Sequence, residues 1–221
     1  MDKASVSKAT LGRLPQYLQF LKGLPEDKFP YISATTIAKS LSLGDVQVRK
    51  DLGAVSGEGR PKLGYVTADL IKSLEDFLGC NRVSSAVLVG AGKLGRALMQ
   101  YEEFEKYGVR IAAAFDCNEH VVNLGGNTEI LPMNQLENFC RTQKIQIGII
   151  TVGEGSAQAV CDQMLKSGIV AIWNFAPCKL NIPSGVLLRQ ENLALSLAHL
   201  NNQLCNFNQE DSYERKNLPN R

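Results

Sequence analysis

Paired cysteines, histidines and long apolar runs are scarce in this 221-residue sequence, and each scarcity removes a class of protein. The six cysteines (Cys80, Cys117, Cys140, Cys161, Cys178, Cys205) are scattered and include no C-x-x-C pair. That spacing speaks against a disulfide framework or a metal site and suits reduced thiols. Most of them are expected as small buried hydrophobes. No stretch approaches the roughly 20 apolar residues that a membrane span needs, and the opening residues lack a signal-peptide core. The expectation is a cytoplasmic protein with no membrane partner. Only two histidines, His120 and His199, are present for acid–base chemistry.

What is there is an ordinary globular composition, 44% hydrophobic and 21% charged, with length for one large domain or two small ones. The net charge of +2 is unevenly spread. Residues 1–66 hold ten Lys/Arg against six Asp/Glu, whereas residues 67–221 hold fourteen against sixteen. The N-terminal part is therefore mildly basic.

The first third reads helical. Leu14, Tyr17, Leu18 and Leu21 recur at helical spacing, with Pro15 tolerable only in a first turn. Ser33 is placed to cap a helix over Ala34–Leu41, Gly44 to break it, and a third helix to run from Asp45 to about Gly53. A turn-rich segment, residues 57–65, precedes a helix from about Ala68 to Leu78. From Ser85 strands alternate with helices: Ala86–Val89, Ile111–Phe115, Gln146–Val152, Val170–Asn174 and Val186–Leu188 are candidate strands of a parallel sheet. Leu193, Leu197, Leu200 and Leu204 share one face of a last helix, and residues from Gln209 onward are polar and expected to fray. The expected divisions are 1–80, 81–190, a terminal helix 191–207 and a tail 208–221.

The strand Ala86–Val89 runs into Gly90-Ala91-Gly92-Lys93-Leu94-Gly95, and a helix follows. In a Rossmann unit the three glycines have distinct tasks: a tight turn at Gly90, backbone approach to a pyrophosphate at Gly92, and close helix–strand packing at Gly95. The helix N-terminus then offers free N–H groups to the phosphates. Asp116 lies twenty-one residues beyond Gly95 at the end of the next strand, where a carboxylate accepts from an adenosine ribose and repels a 2′-phosphate. That selects NAD(H), unless Asp116 merely caps a turn. A dehydrogenase would need a proton donor near the nicotinamide. His120 falls beside the adenosine end and His199 inside the last helix, and too little chain remains for a substrate domain. Ligand sensing is favoured over catalysis.

Residues 33–52 have the build of a helix-turn-helix. Ala38 allows close crossing, and Ile37, Leu41, Val46 and Leu52 are expected to form the shared core. Ser33, Thr35, Gln47, Arg49 and Lys50 are candidate DNA contacts, with Arg49 and Gln47 suited to base edges, and Arg60 and Lys62 on the following turn suited to phosphate or minor groove. An unspecialised three-helix bundle with a basic face is the alternative.

Taken together, Val48-Arg49-Lys50-Asp51-Leu52, Gly64-Tyr65, Val89–Gly95, Phe115-Asp116 and Trp173-Asn174-Phe175-Ala176-Pro177 resemble the redox-sensing repressor family Rex over about residues 10–206. The resemblance implies an α/β protein: an N-terminal winged helix-turn-helix, a C-terminal Rossmann domain and a swapped terminal helix. It implies a homodimer through helix 193–205, a palindromic DNA operator, and NADH favouring release. It adds Thr151, Val152, Asn174, Phe175, Ala176, Pro177 and Tyr101 to the cofactor contacts. Members of the family usually pair an Arg on the first helix with an Asp at the start of the last; those positions read here as Gln19 and Ala194, while the Tyr that exchanges for the Arg is Tyr101. The rival readings are a nucleotide or coenzyme A module without DNA binding, and an NAD-dependent dehydrogenase.

Overall fold

The computed structural model describes residues 6–25, 27–122 and 126–216. The chain forms two compact units, Met1–Val83 with Glu103–Val109, and Ser84–Glu102 with Arg110–Arg221.

In the first unit, helix α1 spans Lys8–Lys22 and starts at Ser7, whose hydroxyl accepts the Thr10 N–H at 3.1 Å. Leu14, Tyr17, Leu18 and Leu21 form its buried stripe. Pro15, expected only in a first turn, sits in the middle of α1. It lies on the exposed face and has no N–H for the Leu11 carbonyl one turn back, and the buried stripe holds the helix together. Strand β1, Tyr31–Ile32, precedes α2, Ala34–Ser40, which Ser33 caps through the Thr36 N–H at 3.0 Å.

Helix α3 covers Asp45–Ser56, continuing past the expected stop at Gly53 to Gly57, where φ is +79°. A glycine inside a helix costs about 1 kcal/mol, and burying a valine returns about 1.5–3. Val55, which is buried, thus decides the extra turn. Val46, expected in the core, is 58% exposed. At about 100° per residue the inward stripe is Val48, Leu52 and Val55, which leaves Val46 on the far side.

Strand β2, Tyr65–Val66, pairs antiparallel with β1, Ile32 opposite Tyr65. Two-residue strands carry too few residues for an alternation to show, and neither was expected. Between α3 and β2 the chain makes a small wing in which Arg60 and Gly64 exchange backbone hydrogen bonds of 2.8 and 2.9 Å. Gly64 (φ +84°) is obligatory, since a Cβ there would stand 2.3 Å from the Ile32 carbonyl oxygen. Helix α4, Thr67–Leu78, ends at left-handed Gly79. The result is a winged helix-turn-helix.

The second unit is a six-stranded sheet in the order β5-β4-β3-β6-β7-β8. Its strands are β3 Ser84–Val89, β4 Val109–Asp116, β5 Ile130–Pro132, β6 Ile147–Ile150, β7 Ala171–Asn174 and β8 Leu187–Gln190. The pairs β4·β5, β3·β6, β6·β7 and β7·β8 are parallel, as the alternating pattern predicts. The three-residue β5 was not expected. Helices α5 (Lys93–Met99), α7 (Leu136–Gln143) and α8 (Glu154–Lys166) join them around a core that includes Val87, Phe115, Leu136, Ile150 and Met164. The short α6, Glu103–Lys106, and Tyr107 belong to the first unit, where Tyr107 packs on the core. The order of strands reverses between β3 and β6, which is the switch point where open α/β sheets bind ligands.

Helix α9 runs from Leu193 to Lys216, well beyond the expected 205, so most of the expected tail is helical. Residues 217–221 lie outside the described residues. Of the six cysteines only Cys140 and Cys161 are buried outright, while Cys117 and Cys205 are exposed. That corrects the expectation that most would be core residues. It follows from their scatter, which puts Cys117 just past a strand end and Cys205 on α9.

Among the described residues of the first unit, Asp51 is the one buried acid. Its carboxylate takes Arg13 Nε at 2.7 Å, Arg13 Nη2 at 3.0 Å, Tyr17 Oη at 2.8 Å and Thr10 Oγ1 at 2.9 Å. Burial alone would push Asp51 up; the hydrogen bonds from Arg13, Tyr17 and Thr10 outweigh it and bring the group below the usual carboxylate range. Burial, then the bond to Asp51, pushes the Tyr17 phenol up to about 12. A depressed folded-state value means that Asp51 contributes stability above its unfolded pKa, near 4, and loses that contribution as pH falls through the folded value. The raised Tyr17 value works in the other sense. Its contribution is complete below about pH 10 and lost as pH rises through about 12. Asp51→Asn should cost about 3 kcal/mol, the low end for breaking a buried pair because Arg13 is partly exposed. Urea unfolding between pH 7 and 3 should show a steeper acid loss in the unmodified chain than in the variant. Parallel acid profiles would contradict this assignment.

Candidate nucleotide site and nucleic-acid interface

At the end of β3 the backbone turns at Gly90 with φ +106°. A Cβ there would meet Thr151 and Val152 backbone and side-chain atoms at 2.9 Å. At Gly95 a Cβ would stand 2.0 Å from the Gly90 carbonyl oxygen. Both glycines are required by the protein itself. Gly92 differs, since its φ of −71° is ordinary and a Cβ would meet nothing within 4 Å. The protein does not need glycine there, but a ligand lying against the loop would, and this is where the fingerprint expects a pyrophosphate. Exposed Lys93 stands in the first turn of α5.

Asp116 ends β4 beside this loop. One carboxylate oxygen accepts the Ala91 N–H at 2.7 Å and the other the Asn118 N–H at 2.8 Å. Each oxygen keeps lone pairs for a further donor, so the carboxylate is oriented without being exhausted. It therefore does cap the turn at Asn118, and it also fixes the glycine loop. Arg96 Nε donates to the Ala91 carbonyl at 3.0 Å, and Thr151 Oγ1 donates to that of Gly90 at 2.7 Å. Half-buried Thr151 and Val152 thus border the loop from β6.

The Asn174–Pro177 segment is a different case. Asn174, expected to touch the cofactor, is fully buried and spends its amide inside. Its oxygen accepts the Ala176 N–H, and its nitrogen donates to Gln190 Oε1 at 2.8 Å and to the Ala176 and Cys178 carbonyls. Ala176 is buried as well. These two shape the loop, a buried amide needing partners on both atoms. Half-buried Phe175 and exposed Pro177 remain at the surface, with the Phe175 ring 4.5 Å from that of Trp173. Leu94 is half-buried, and Tyr101 is 54% exposed after α5.

On the first unit, Thr35, Gln47, Arg49, Lys50, Arg60 and Lys62 are all exposed, the first four on α2 and α3 and the last two on the wing. The Ser33 hydroxyl, by contrast, is engaged as the α2 cap. Arg49 reaches back to Asp45 at 3.3 Å, an exposed helix pair worth about 0.3–0.5 kcal/mol, so it leaves for a stronger partner at little cost. Sequence reasoning missed Arg13, whose guanidinium lies between Asp51 and Gln47. The available signal was that Asp51 falls on the inward stripe of α3 and so required a cation from another helix.

Helix α9 shows Leu193, Leu195, Leu197, Leu200, Leu204 and Phe207 at 54–67% exposure. His199 lies on α9 and His120 follows Asp116, both exposed. Gln19 is exposed on α1. The polar side chain that opens α9 is Asn192, which accepts the Leu195 N–H at 2.9 Å, with Ala194 one step inside the first turn. The position read as Ala194 is therefore better taken as Asn192, because a helix start selects an Asx side chain. Among the described residues no group of three or more His, Cys, Asp or Glu is placed to hold a metal, and no helix is long and apolar enough to cross a membrane.

The chain matches a model described as a putative DNA-binding protein N-terminus over residues 5–53 and one described as a CoA binding domain over residues 81–178. It is 40% identical to the redox-sensing transcriptional repressor Rex of Treponema denticola over 90% of this chain and 96% of that one. The chain belongs to the Rex family. The Rex of Bacteroides thetaiotaomicron is 36% identical over 95% of each chain. Among solved structures, RSP in complex with β-NAD+ and operator DNA aligns with a TM-score of 0.86 at 30% identity, covering 96% of this chain and 99% of RSP. RSP in complex with β-NADH aligns at 0.84 and 31% identity, covering 96% and 98%. Rex relatives are named as transcriptional repressors, in line with the expectation of a regulator rather than an enzyme.

The glycine geometry separates folding from ligand binding. Gly95→Ala should lose about 3 kcal/mol or more by driving a Cβ into backbone, whereas Gly92→Ala should lose about 1 kcal/mol or less, as a cap change. Calorimetry that finds equal melting temperatures for the two variants would refute the distinction.

Proposed function

We propose that this chain is a DNA-binding transcriptional repressor that senses the NADH/NAD+ balance, with NADH favouring release from a palindromic operator. The observation that carries it is the alignment, over nearly the whole chain, with a Rex-family repressor solved with both β-NAD+ and operator DNA. The α3 face and the wing supply the DNA contacts: Thr35, Gln47, Arg49 and Lys50 toward the major groove, Arg60 and Lys62 toward phosphates or the minor groove. The Gly90–Gly95 loop takes the pyrophosphate, Asp116 the adenosine ribose, and Thr151, Val152, Phe175 and Pro177 border the nicotinamide. Asn174 and Ala176 hold that last segment in shape. The unpartnered leucines of α9 are the surface for a second copy, which provides the second recognition helix that a palindrome needs.

Asp116 also bears on the coenzyme A reading. A carboxylate at the ribose end disfavours a phosphorylated ribose, whether of NADPH or of coenzyme A. Trp173 fluorescence should report NADH binding at least tenfold tighter than NADPH or coenzyme A, and Asp116→Ala should narrow that ratio. Equal affinity for the three ligands would remove Asp116 from the ribose site.

NADH releases DNA only by binding the released form better than the DNA-competent one. The family's ion pair lacks both members here, with Gln19 and Asn192 in their places, so two charges are absent together and neither is stranded. NADH should therefore weaken operator affinity by only about fivefold, near the low end of typical coupling at about 1 kcal/mol. Gln19→Arg with Asn192→Asp should increase the effect. Duplex retention with and without saturating NADH tests both statements, and a hundredfold loss in the unmodified chain would show the ion pair to be dispensable.

A further inference from the structure

Val46 lies in the first turn of α3 and is 58% exposed. It belongs neither to the core of the first unit nor to the half-buried residues packed on that core. At about 100° per residue it shares the outward stripe of the helix with Arg49, Lys50 and Gly53. The buried stripe of Val48, Leu52 and Val55 faces the opposite way. At Gly53 a Cβ would meet nothing within 4 Å, so that end of the outward stripe is open as well.

A single exposed valine is ordinary on a protein surface. This one stands at the N-terminal turn of the second helix of a helix-turn-helix, the place from which base edges are read. Its neighbours on the stripe are an arginine and a lysine, which bring hydrogen-bond donors on long, flexible stems. Valine brings no hydrogen bond. A β-branched residue lowers helix propensity, and what it returns is rigidity. In a helix it keeps largely one χ1 rotamer, so its two methyl groups stand in a fixed place beside the mobile cations.

The major groove offers one apolar feature, the C5-methyl group of thymine. Val46 and Lys50 are one turn apart, which sets their Cβ atoms about 5–6 Å from each other. Successive base pairs are about 3.4 Å apart along the duplex, so the two side chains face base pairs one or two steps apart. We propose that Val46 is a specificity-determining residue. Its methyl groups read the C5-methyl of a thymine one or two steps from the base pair that Lys50 reads. This rests on the reading of α3 as the recognition helix, which loss of duplex binding in Arg49→Ala tests by itself.

The full chain selects preferred duplexes from a random pool, and each thymine of the selected site is then replaced by deoxyuridine, which lacks only the methyl group. One thymine in each half-site should respond. Burying a methyl group corresponds to about fourfold in affinity, so the replacement should weaken binding about fourfold in one half-site and about fifteenfold in both. Val46→Ala should bind the thymine and deoxyuridine duplexes alike, and should melt no lower, because Val46 packs on no core residue. Val46→Ile should keep the discrimination. Lys50→Ala should relax the preference at a different base pair, one or two steps away. No thymine responding to deoxyuridine, a response that persists in Val46→Ala, or a Val46→Ala loss equal on all duplexes would overturn the proposal. The second of these is what a change in the duplex alone gives, and the third is what a merely structural Val46 gives. A chain that retains no duplex, or an Arg49→Ala variant that retains it unchanged, would instead overturn the reading of α3, and the proposal with it.

Discussion

A carboxylate withdrawn from water must find donors for its oxygens, and the first unit of this protein is organised around one such group. There, Asp51 gathers Arg13, Tyr17 and Thr10 from α1 onto α3. In the second unit the half-buried Asp116 takes the Ala91 N–H of the glycine loop and the Asn118 N–H of its own turn. Desolvating an unpaired carboxylate costs far more than any single hydrogen bond returns, so the donors have to come together for the fold to be stable. The same groups then hold the elements that carry the candidate sites: α3 on one unit, the glycine loop on the other.

The two sites differ in how much they are made in advance. The nucleotide loop is rigid by close packing, with Gly90 and Gly95 pressed against backbone and Thr151 tied to the Gly90 carbonyl. Only Gly92 faces open space. On the DNA-facing unit the cations are exposed and lightly held, Arg49 by one long contact to Asp45. Such side chains reorganise onto phosphates or bases at small cost, which suits a surface that must both bind and release.

Much of this was legible in the sequence. The G-x-G-x-x-G loop after a strand, the acid closing the next strand, and the apolar stripe of α1 are local patterns whose physics needs no distant partner. Two departures share a cause. Val46 faces outward and α3 continues past Gly53, because each depends on which side of an element a neighbour covers. The ordinary propensity rules weigh a residue without its surroundings, and tertiary burial overrides them.

By itself the sequence determined the order of the longer elements and the glycine positions that a dinucleotide loop needs. Those follow from short-range sterics and hydrophobic periodicity, both written into neighbouring residues, while the family was legible as a resemblance in an ordered set of motifs. Only the tertiary structure decided that Arg13 of α1 closes on Asp51 of α3, and that Asn174 closes on Gln190. Arg13 and Asp51 are 38 residues apart in the chain, and Asn174 and Gln190 are 16 apart. No local pattern pairs a charge with its partner across such distances; that choice is made when burial forces each polar atom to find one.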